Sequence, residues 1–327
     1  MSKKILIIGG GGYVGTMLVP ALLSKNHTVT VFDLFIYGNH IKDHKNLKII
    51  KGDMRNMDIL KELFTEKYDE LIHLACISND PSFELNPSLG KSINYDCFEP
   101  LVNLSRDKGV DKFIFASSSS VYGIKDEDNV NEEMELKPLT DYSKYKAMCE
   151  DVLNNYSSKH FKTCILRPAT VCGYSDRQRL DVVVNIFANF AFFKNKINVF
   201  GGKQLRPNIN IKDMVQAYLR IIDEPGENIN GDIFNVGYHN HSLDQLAEIT
   251  KKIISPNVTI DKVESNDNRS YHISSNRILE KLKFKPSFDI EDAVNSLKYA
   301  FEKKILTNTF ENDDYFNIKK MQNLSLE

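Results

Sequence analysis

Residues Ile5 to Gly15 read Ile-Leu-Ile-Ile-Gly-Gly-Gly-Gly-Tyr-Val-Gly, an apolar run that passes directly into a glycine-rich turn. Its glycines at positions 9, 12 and 15 form a GxxGxxG pattern between a predicted strand and a predicted helix. Such glycines let the backbone turn tightly and approach a pyrophosphate, which rests on the N–H groups at the helix N-terminus. An ordinary glycine turn is the alternative, but this context disfavours it. We therefore predict a dinucleotide site formed by Gly9, Gly12, Tyr13, Val14 and Gly15.

Short β-branched runs alternate with segments of helical length through the first half of the chain. The predicted strands are Lys4–Ile8, Thr28–Phe32, Leu47–Ile50, Glu70–Leu74, Lys112–Ala116 and Thr163–Leu166. Strands that alternate with helices imply right-handed crossovers and a parallel sheet covered on both faces. The predicted fold class is α/β: a doubly wound Rossmann-type parallel sheet with a smaller C-terminal α/β substrate lobe.

Asp33 ends the second predicted strand, where a carboxylate can accept hydrogen bonds from the adenosine ribose hydroxyls. It would also repel a 2′-phosphate, and residues 34–45 contain lysines but no arginine to hold one. The sequence therefore favours NAD over NADP, with a solvated strand-end residue as the alternative role for Asp33. Asp53 and Met54, after the third strand, are predicted to face the adenine.

The second half of the chain is less regular. Its predicted helices are Leu180–Phe193, Lys212–Asp223, Ser242–Ile254, Ser274–Leu282 and Ile290–Lys303. We predict an NAD-binding Rossmann domain over 1–167, to which later segments return, and a substrate-binding lobe over 168–305. Residues 306–327 are polar and rich in Asn and Asp, which predicts a loose C-terminal tail.

Composition narrows the class of protein. The chain has 327 residues, 42% of them hydrophobic and 26% charged, which excludes disordered and fibrous proteins. Its net charge of −2 without a strongly basic block predicts a small-molecule partner, and neither nucleic acid nor membrane. Five cysteines without paired or metal-type spacing favour a reducing compartment and no metal site. With no signal peptide or spanning segment, the sequence predicts a cytoplasmic protein.

Tyr142 and Lys146 form a Tyr-x-x-x-Lys pair soon after the fifth predicted strand. The other such pairs are Tyr299/Lys303 and Tyr315/Lys319. Those two are remote in sequence from the predicted cofactor-binding strands, and we interpret them as surface helix pairs. Four-residue spacing places the phenol and the ammonium on one helical face. Because a nearby positive charge favours phenolate, Tyr142 is a candidate base at neutral pH.

A run of serines, Ser117–Ser120, follows the fifth strand at the end where ligands bind in such sheets. A hydroxyl there could share the substrate proton, although four consecutive serines could also form a polar loop. His73 ends an apolar strand and is interpreted as a core histidine rather than an acid or base.

The chain resembles the extended short-chain dehydrogenase/reductase family, in particular its nucleotide-sugar epimerase/dehydratase branch. The matching pieces are Gly9–Gly15, Asp33, Asp53, His73-Leu74-Ala75, Asn94 in Asn94-Tyr95-Asp96, the serine run closing in Val121-Tyr122-Gly123, Tyr142/Lys146, Leu166-Arg167-Pro168 and Gln204-Leu205-Arg206. The resemblance implies that Tyr142 is the base, Lys146 its electrostatic partner and ribose clamp, and Ser118 the hydroxyl that completes the relay. It also implies cofactor contacts from Leu74, Ala75 and Asn94, and a homodimer.

Two departures from the family pattern bear on the reaction. Sugar-nucleotide 4,6-dehydratases usually carry Asp-Glu directly after the catalytic Thr or Ser, whereas this chain has Ser119-Ser120. Loss of the C6 hydroxyl is therefore disfavoured, while oxidation at C4 stays possible. Thr170 and Cys172 stand where many relatives have a substrate-contacting Asn and a Tyr, which puts direct transfer of a UDP-glucose pocket in doubt.

Arginine is scarce beside lysine in this chain, so its positions are informative. A guanidinium can hold a diphosphate bidentately, as an ammonium cannot. The candidates for a substrate diphosphate are Arg206 and Arg269, the latter by resemblance to a family arginine. For these two, structural ion pairs are the alternative, whereas Arg177 and Arg179 could reach either the substrate or a solvated face.

These observations predict an NAD-dependent nucleotide-sugar 4-epimerase that acts on a nucleotide-diphosphate sugar through a transient C4-keto sugar. A net C4 dehydrogenase or keto-sugar reductase would use the same Ser118, Tyr142 and Lys146. A non-catalytic NAD-sensing protein is the third possibility, and the intact catalytic set argues against it.

Overall fold

The computed structural model describes residues 2–125, 127–265 and 272–324. Its strands are β1 (Lys4–Ile8), β2 (Thr28–Asp33), β3 (Leu47–Lys51), β4 (Glu70–His73), β5 (Lys112–Ala116), β6 (Lys162–Pro168), β7 (Thr170–Cys172), β8 (Lys196–Phe200), β9 (Leu205–Asn210), β10 (Asp232–Val236), β11 (His239–Ser242) and β12 (Thr259–Val263). Its helices are α1 (Gly15–Ser24), α2 (Met57–Leu63), α3 (Asp80–Glu84), α4 (Pro87–Lys91), α5 (Phe98–Asp107), α6 (Asp141–Tyr156), α7 (Val183–Lys194), α8 (Ile211–Asp223), α9 (Gly226–Ile229), α10 (Leu243–Ile254), α11 (Asn276–Leu282), α12 (Ile290–Glu302) and α13 (Asn317–Asn323).

The main sheet has seven strands in the order β10-β6-β5-β4-β1-β2-β3, and every neighbouring pair is parallel. Strand β1 pairs with β2 on one side and with β4 on the other. The order in which the chain adds strands to the sheet therefore reverses between β1 and β4. In such sheets the reversal opens a crevice at the carboxyl ends of the strands, where ligands bind. The predicted doubly wound Rossmann-type sheet is confirmed.

Helices cover both faces of this sheet. One face packs against α1 and α8, in a core that contains Leu18, Leu22 and Tyr218. The other packs against α2, α5 and α6, in a core that contains Phe98 and Leu153. Burial on both faces explains why the central strands are continuous apolar runs rather than alternating ones.

The smaller lobe contains two short sheets, β11-β9-β7 and β12-β8. Helices α7, α10 and α12 pack together beside them around a third apolar core. Strand β10 returns from this half of the chain to pair with β6 in the main sheet. Among the described residues no helix has the length and apolar character that a membrane crossing requires.

The start of α7 differs from the sequence prediction. The helix begins at Val183 rather than at residue 180, because Val182 has an extended backbone with φ −112° and ψ 147°. Asp181, just before it, accepts hydrogen bonds from the Arg179 side chain and from the Asn317 backbone N–H. The contact with Asn317, which is distant in sequence, holds 180–182 out of the helix.

The C-terminal segment also differs, because its described part, 306–324, is packed and not loose. The Leu180 N–H donates to the Tyr315 carbonyl at 2.8 Å, which ties the segment to the start of α7. Helix α13 then lies against the Rossmann half, where Met321 is buried with Ile77 and Phe83. Apolar residues that lie between the Asn and Asp residues of this segment supply the packing. Its overall polar composition does not reveal them.

Candidate active site

A cavity of about 550 Å³ opens at the carboxyl ends of the central strands, between the sheet and the smaller lobe. The glycine turn after β1, the ends of β4 and β5, the start of α6 and the segment before α7 all contribute to its wall. Of the predicted site residues it is lined by Gly9, Gly12, Tyr13, Val14, Gly15, Asp33, Met54, Leu74, Ala75, Ser118, Tyr142, Arg177, Arg179 and Arg206. A cavity of this size at this place can hold a small-molecule ligand.

The glycine turn has the geometry that a dinucleotide site requires. Gly9 has a φ of +86°, and a Cβ there would lie 2.3 Å from the Ala75 backbone nitrogen. A Cβ on Gly15 would lie 2.3 Å from the Gly10 carbonyl oxygen, so Gly15 allows α1 to start close against the turn. The backbone N–H groups at the start of α1 therefore stand against the cavity wall, where they can bind a phosphate.

Asp33 is fixed at the end of β2. Its carboxylate accepts hydrogen bonds from the Gly11 N–H at 2.8 Å and from the Phe35 N–H at 2.7 Å. Burial raises the pKa of Asp33, and the two backbone N–H groups act in the opposite direction. The carboxylate lines the cavity, so it is placed to receive ribose hydroxyls, and these residues fit the adenosine half of NAD.

Three predicted cofactor residues, Asp53, Asn94 and Lys146, do not line the cavity. The Asp53 carboxylate is held by Arg55, whose Nη2 lies 2.6 Å from its Oδ2, while Met54 does face the cavity. The Asn94 side chain is buried, accepts from the Ile77 N–H at 2.8 Å and donates to the Ile77 carbonyl at 3.0 Å. Asn94 thus fixes the loop after β4, and direct cofactor contacts from Asp53 and Asn94 stay predictions.

The three predicted catalytic residues converge beside the cavity. Tyr142 lies in the first turn of α6, which starts with a capping box between Thr140 and Ser143. Tyr142 has a side-chain hydrogen bond with Ser118, which lies just beyond β5. Lys146 is one helical turn further on, and its Nζ donates to the Ala116 carbonyl at 2.6 Å.

The electrostatics of Tyr142 differ from the prediction of a phenol that is already acidic. Burial raises its pKa well above the ordinary value, and the nearby Cys76 and Asp80 raise it further. The hydrogen bond with Ser118 and the charge of Arg179 act the other way without cancelling these effects. The protein groups around Tyr142 therefore keep the phenol protonated at neutral pH.

A buried ion pair that the sequence analysis missed lies behind this site. Arg167, at the end of β6, contacts the Glu150 carboxylate through Nη2 at 2.6 Å and Nε at 3.0 Å. The same carboxylate accepts a hydrogen bond from the Ser117 hydroxyl, and Arg167 also donates to the Tyr122 hydroxyl at 2.8 Å. Glu150 lies four positions after Lys146, as Lys146 does after Tyr142. The same spacing therefore places Glu150 on the helical face that carries these two residues, and this was a signal in the sequence.

Two of the predicted arginines lie in the cavity wall, Arg177 buried and Arg179 partly buried. Arg177 packs over the Tyr37 ring, with its guanidinium carbon 3.6 Å from the ring centre. Arg179 pairs with Asp181 at 2.8 Å. Within the part of the chain that the structure describes, Arg177 Nε and Arg179 Nη2 have no hydrogen-bond acceptor. Buried donors without acceptors fit an anionic ligand, because leaving them unpaired is costly.

The other two predicted substrate arginines have different outcomes. Arg206 lines the cavity and donates to the neighbouring Leu205 carbonyl at 3.1 Å. Arg269 lies outside the described residues. The C-terminal segment, which the sequence analysis left out of the site, contributes Asn317, Ile318 and Met321 to the cavity wall. Among the described residues no group of three or more His, Cys, Asp or Glu side chains could hold a metal ion.

Comparison with known proteins agrees with this geometry. Residues 5–237 match the model of the NAD dependent epimerase/dehydratase family. The chain is 24% identical over 321 residues to a UDP-glucose 4-epimerase from Lactobacillus helveticus, covering 92% of this chain and 97% of that protein. It is 30% identical over 275 residues to a dTDP-D-glucose 4,6-dehydratase from Dictyostelium discoideum, covering 77% and 62% respectively.

The fold has solved counterparts. The crystal structure of a UDP-glucose 4-epimerase from Thermotoga maritima with UDP-glucose superposes with a TM-score of 0.84 at 22% identity. The superposition covers 93% of this chain and 100% of that one. At this level of identity the likeness establishes the fold, while the residues in the cavity carry the argument about chemistry.

Proposed function

The chain belongs to the NAD-dependent epimerase/dehydratase family, and from that premise we propose that it is a nucleotide-sugar 4-epimerase that acts through a transient C4-keto sugar. The observation that carries the proposal is the convergence of Ser118, Tyr142 and Lys146 beside the cavity that the glycine turn also lines. A base, a hydroxyl relay and a dinucleotide site in one cavity are what hydride removal from a sugar carbinol requires.

NAD, when bound, supplies the acceptor and donor of the C4 hydride. In our proposal the backbone N–H groups at the start of α1 hold its pyrophosphate, and Asp33 accepts the adenosine ribose hydroxyls. Lys146 is the proposed clamp for the second ribose, since it lies one helical turn after Tyr142 in α6. Leu74 and Ala75 form the apolar wall after β4.

Tyr142 takes the proton of the sugar C4 hydroxyl, directly or through Ser118. The raised pKa of this phenol means that the base form needs more positive charge nearby than Arg179 alone provides. Lys146 is held by the Ala116 carbonyl at the same end of α6, and its charge favours phenolate as the substrate enters. Tyr142 therefore returns the proton when the hydride is restored to the opposite face.

Elimination of water is disfavoured by the residues after Ser118. Ser119 and Ser120 stand where the family's dehydratases carry an acid pair, and the Ser120 hydroxyl donates to the Ser118 hydroxyl at 2.9 Å. A hydroxyl that orients the relay residue cannot also supply the acid and base that loss of the C6 hydroxyl needs. This supports epimerisation over 4,6-dehydration.

Two partly buried arginines of the cavity wall indicate the substrate class. Arg179 has a donor without an acceptor in the described part of the cavity wall, and Arg206 lies on the same wall. Two guanidinium groups in one cavity suit a diphosphate, which each can hold bidentately. We propose that the substrate is a nucleotide-diphosphate sugar, with Arg179 and Arg206 among its ligands.

The first test is the substitution Tyr142→Phe, assayed with UDP-, GDP-, dTDP- and CDP-sugars. We expect turnover to fall by at least about 100-fold, because the proton acceptor is lost while the ring and its packing stay. The matched control is Tyr145→Phe on the same helix, whose ring stacks on Tyr95 at 5.4 Å and which should keep wild-type turnover.

The products distinguish the alternatives. An epimerase gives the C4 epimer, separated by chromatography, without accumulation of reduced nicotinamide, and in deuterated water it leaves the C4 hydrogen unexchanged. Accumulated reduced nicotinamide would indicate a C4 dehydrogenase, and a product lighter by one water would indicate a dehydratase. Wild-type turnover in the Tyr142→Phe variant would overturn the mechanism.

A further inference from the structure

The C-terminal helix α13 is part of the wall of the cofactor crevice. Ile318 and Met321 face the cavity, and Met321 is also packed among Ile77 and Phe83 of the Rossmann half. On its other side the segment before α13 is tied to the smaller lobe through the Tyr315 carbonyl. This short helix therefore bridges the two halves of the molecule across the cavity.

Asn317, the first residue of α13, makes the central contacts of that bridge. It is 2% exposed, and its Oδ1 accepts from Arg177 Nη2 at 2.6 Å. Its Nδ2 donates to the Ser78 hydroxyl at 2.7 Å, and its backbone N–H donates to Asp181 at 2.8 Å. One side chain thus joins the loop after β4 to the arginine-bearing segment before α7.

Arg177 stands at the adenosine and pyrophosphate end of the crevice rather than at the sugar end. Its backbone N–H donates to the hydroxyl of Thr16, in the first turn of α1. Its guanidinium packs over Tyr37, and its charge acts on the pKa of Asp33, the predicted ribose ligand. The sequence predicts Arg177 to be a substrate residue, whereas these contacts place it beside the residues that fit NAD.

The hydrogen bonding of Arg177 is incomplete. It is 2% exposed, and in the described structure its Nε has no acceptor. Burial lowers the pKa of Arg177 to about 10, and the nearby charge of Arg179 acts in the same direction. Tyr37, Asp181 and Asp314 act in the opposite direction. A buried guanidinium with an unused donor gains most from an added anion, and a dinucleotide brings two phosphates to this end of the crevice.

We infer that Asn317 is a positioning residue that holds the Arg177 guanidinium against the bound dinucleotide, so that the C-terminal helix contributes to NAD retention. The inference rests on the placement of NAD in the proposed function, but it does not depend on which sugar reacts. It assigns Arg177 to the cofactor site. It also gives a function to the C-terminal segment, whose composition alone suggests a loose tail.

The test measures the rate at which the full-length holoenzyme loses NAD after dilution into an NAD-trapping buffer. We expect Asn317→Ala to release NAD about tenfold faster, because a hydrogen bond to a charged group is lost and the guanidinium gains freedom. Asn317→Asp keeps the acceptor for Arg177 and should stay within about twofold of wild type. Gln322→Ala shortens an exposed side chain of the same helix that does not line the cavity, and it should leave the rate of NAD release unchanged.

A double substitution separates positioning from general loosening. Arg177→Ala should itself speed NAD release, and adding Asn317→Ala should have no further effect if Asn317 acts through Arg177. Two results would overturn the inference. One is an equal effect of Asn317→Ala on the rate of NAD release with and without Arg177→Ala, and the other is a wild-type rate of release in the Asn317→Ala single variant. If Asn317→Ala does not fold, Asn317→Ser, too short to reach Arg177, replaces it in both comparisons.

These outcomes are separable from those of the proposed reaction. Tyr142→Phe can keep full turnover, which removes the epimerase mechanism, while Asn317→Ala still releases NAD quickly. Conversely, normal NAD release from Asn317→Ala leaves the loss of turnover in Tyr142→Phe untouched. The two proposals therefore stand or fall on different measurements.

Discussion

Tyr142 is surrounded by groups that act on its charge in opposite directions. Asp80 and Cys76 raise its pKa in addition to burial, while Ser118 and Arg179 lower it. Asp80 lies in the cavity wall at the start of α3, and its carboxylate accepts from the Thr140 hydroxyl at 2.6 Å. This carboxylate is therefore one of the groups that keep the pKa of the Tyr142 phenol high.

Replacing Asp80 by Asn should therefore make Tyr142 a base at lower pH. The substitution removes a negative charge that raises the phenol pKa, and the amide oxygen can still accept from Thr140. Since the deprotonated phenol is the active form, the rising limb of the kcat/KM profile should move to lower pH.

The control for this shift is Asp141→Asn, which removes an exposed carboxylate next to Tyr142 in sequence that pairs with Lys144 instead. Its pH profile should match that of the wild type. A profile of Asp80→Asn that stays in place, or moves to higher pH, would show that the Asp80 charge does not act on the base.

Individual contacts of this kind were partly predictable. The spacing of Tyr142 and Lys146 reports a shared helical face, and that face is what the structure shows. The pKa direction was not predictable, because Cys76, Asp80 and Arg179 approach the phenol from separate parts of the chain. The same reason hid the contact between Asn94 and the Ile77 backbone.

At the level of elements, α6 is fastened to the central sheet by Glu150. Its carboxylate contacts Arg167 of β6 and Ser117 at the end of β5, all of which are buried. Glu150 lies one helical turn beyond Lys146 and touches neither the cavity nor the proposed reacting groups. It holds α6 in register with the strand that precedes Ser118.

Glu150→Gln should accordingly lower stability more than it changes chemistry. Removing one partner of a buried ion pair leaves the Arg167 charge uncompensated, which typically costs about 3–5 kcal/mol. The free energy of unfolding, measured by urea denaturation, should fall by that amount.

Asp151→Asn changes the next residue of α6, which is exposed, and should leave the free energy of unfolding within about 0.5 kcal/mol of the wild type. If the free energy of unfolding of Glu150→Gln fell by no more than this, the ion pair between Glu150 and Arg167 would not fasten α6 to the sheet.

For the molecule as a whole, His73 links stability to pH. It is 1% exposed at the end of β4, among the rings of Phe98, Phe113 and Phe115, as the interpretation of a core histidine requires. Burial lowers the pKa of His73 from 6.5 to about 3, with the charge of Lys146 adding to the effect. The folded chain therefore excludes a proton that the unfolded chain binds below about pH 6.5.

His73→Phe should flatten the acid side of the stability profile. Between about pH 6.5 and pH 3 only the unfolded state carries the His73 proton. The free energy of unfolding therefore decreases as the pH is lowered, by up to about 1.4 kcal/mol per pH unit. Between about pH 7.5 and pH 5.5 the wild type should lose about 1.4 kcal/mol that the variant retains.

Urea denaturation at the two pH values measures this difference. His160→Asn, in an exposed loop, is the control and should show the same pH dependence as the wild type. If His73→Phe and the wild type lost the same free energy of unfolding between the two pH values, His73 would not be the group that links stability to pH. The predicted homodimer is a separate question at this scale, and sedimentation of the holoenzyme tests it.

Features that depend on neighbours along the chain could be predicted from the amino-acid sequence. Strand and helix order, the glycine turn after β1, Asp33 at the end of β2 and the Tyr142/Lys146 face follow from local spacing, because backbone geometry fixes which residues share a face or a turn. Three-dimensional packing alone places α13 in the cavity wall, Arg177 against Asn317 and Glu150 against Arg167. These contacts join residues far apart in sequence, so packing brings them together and no local pattern records them.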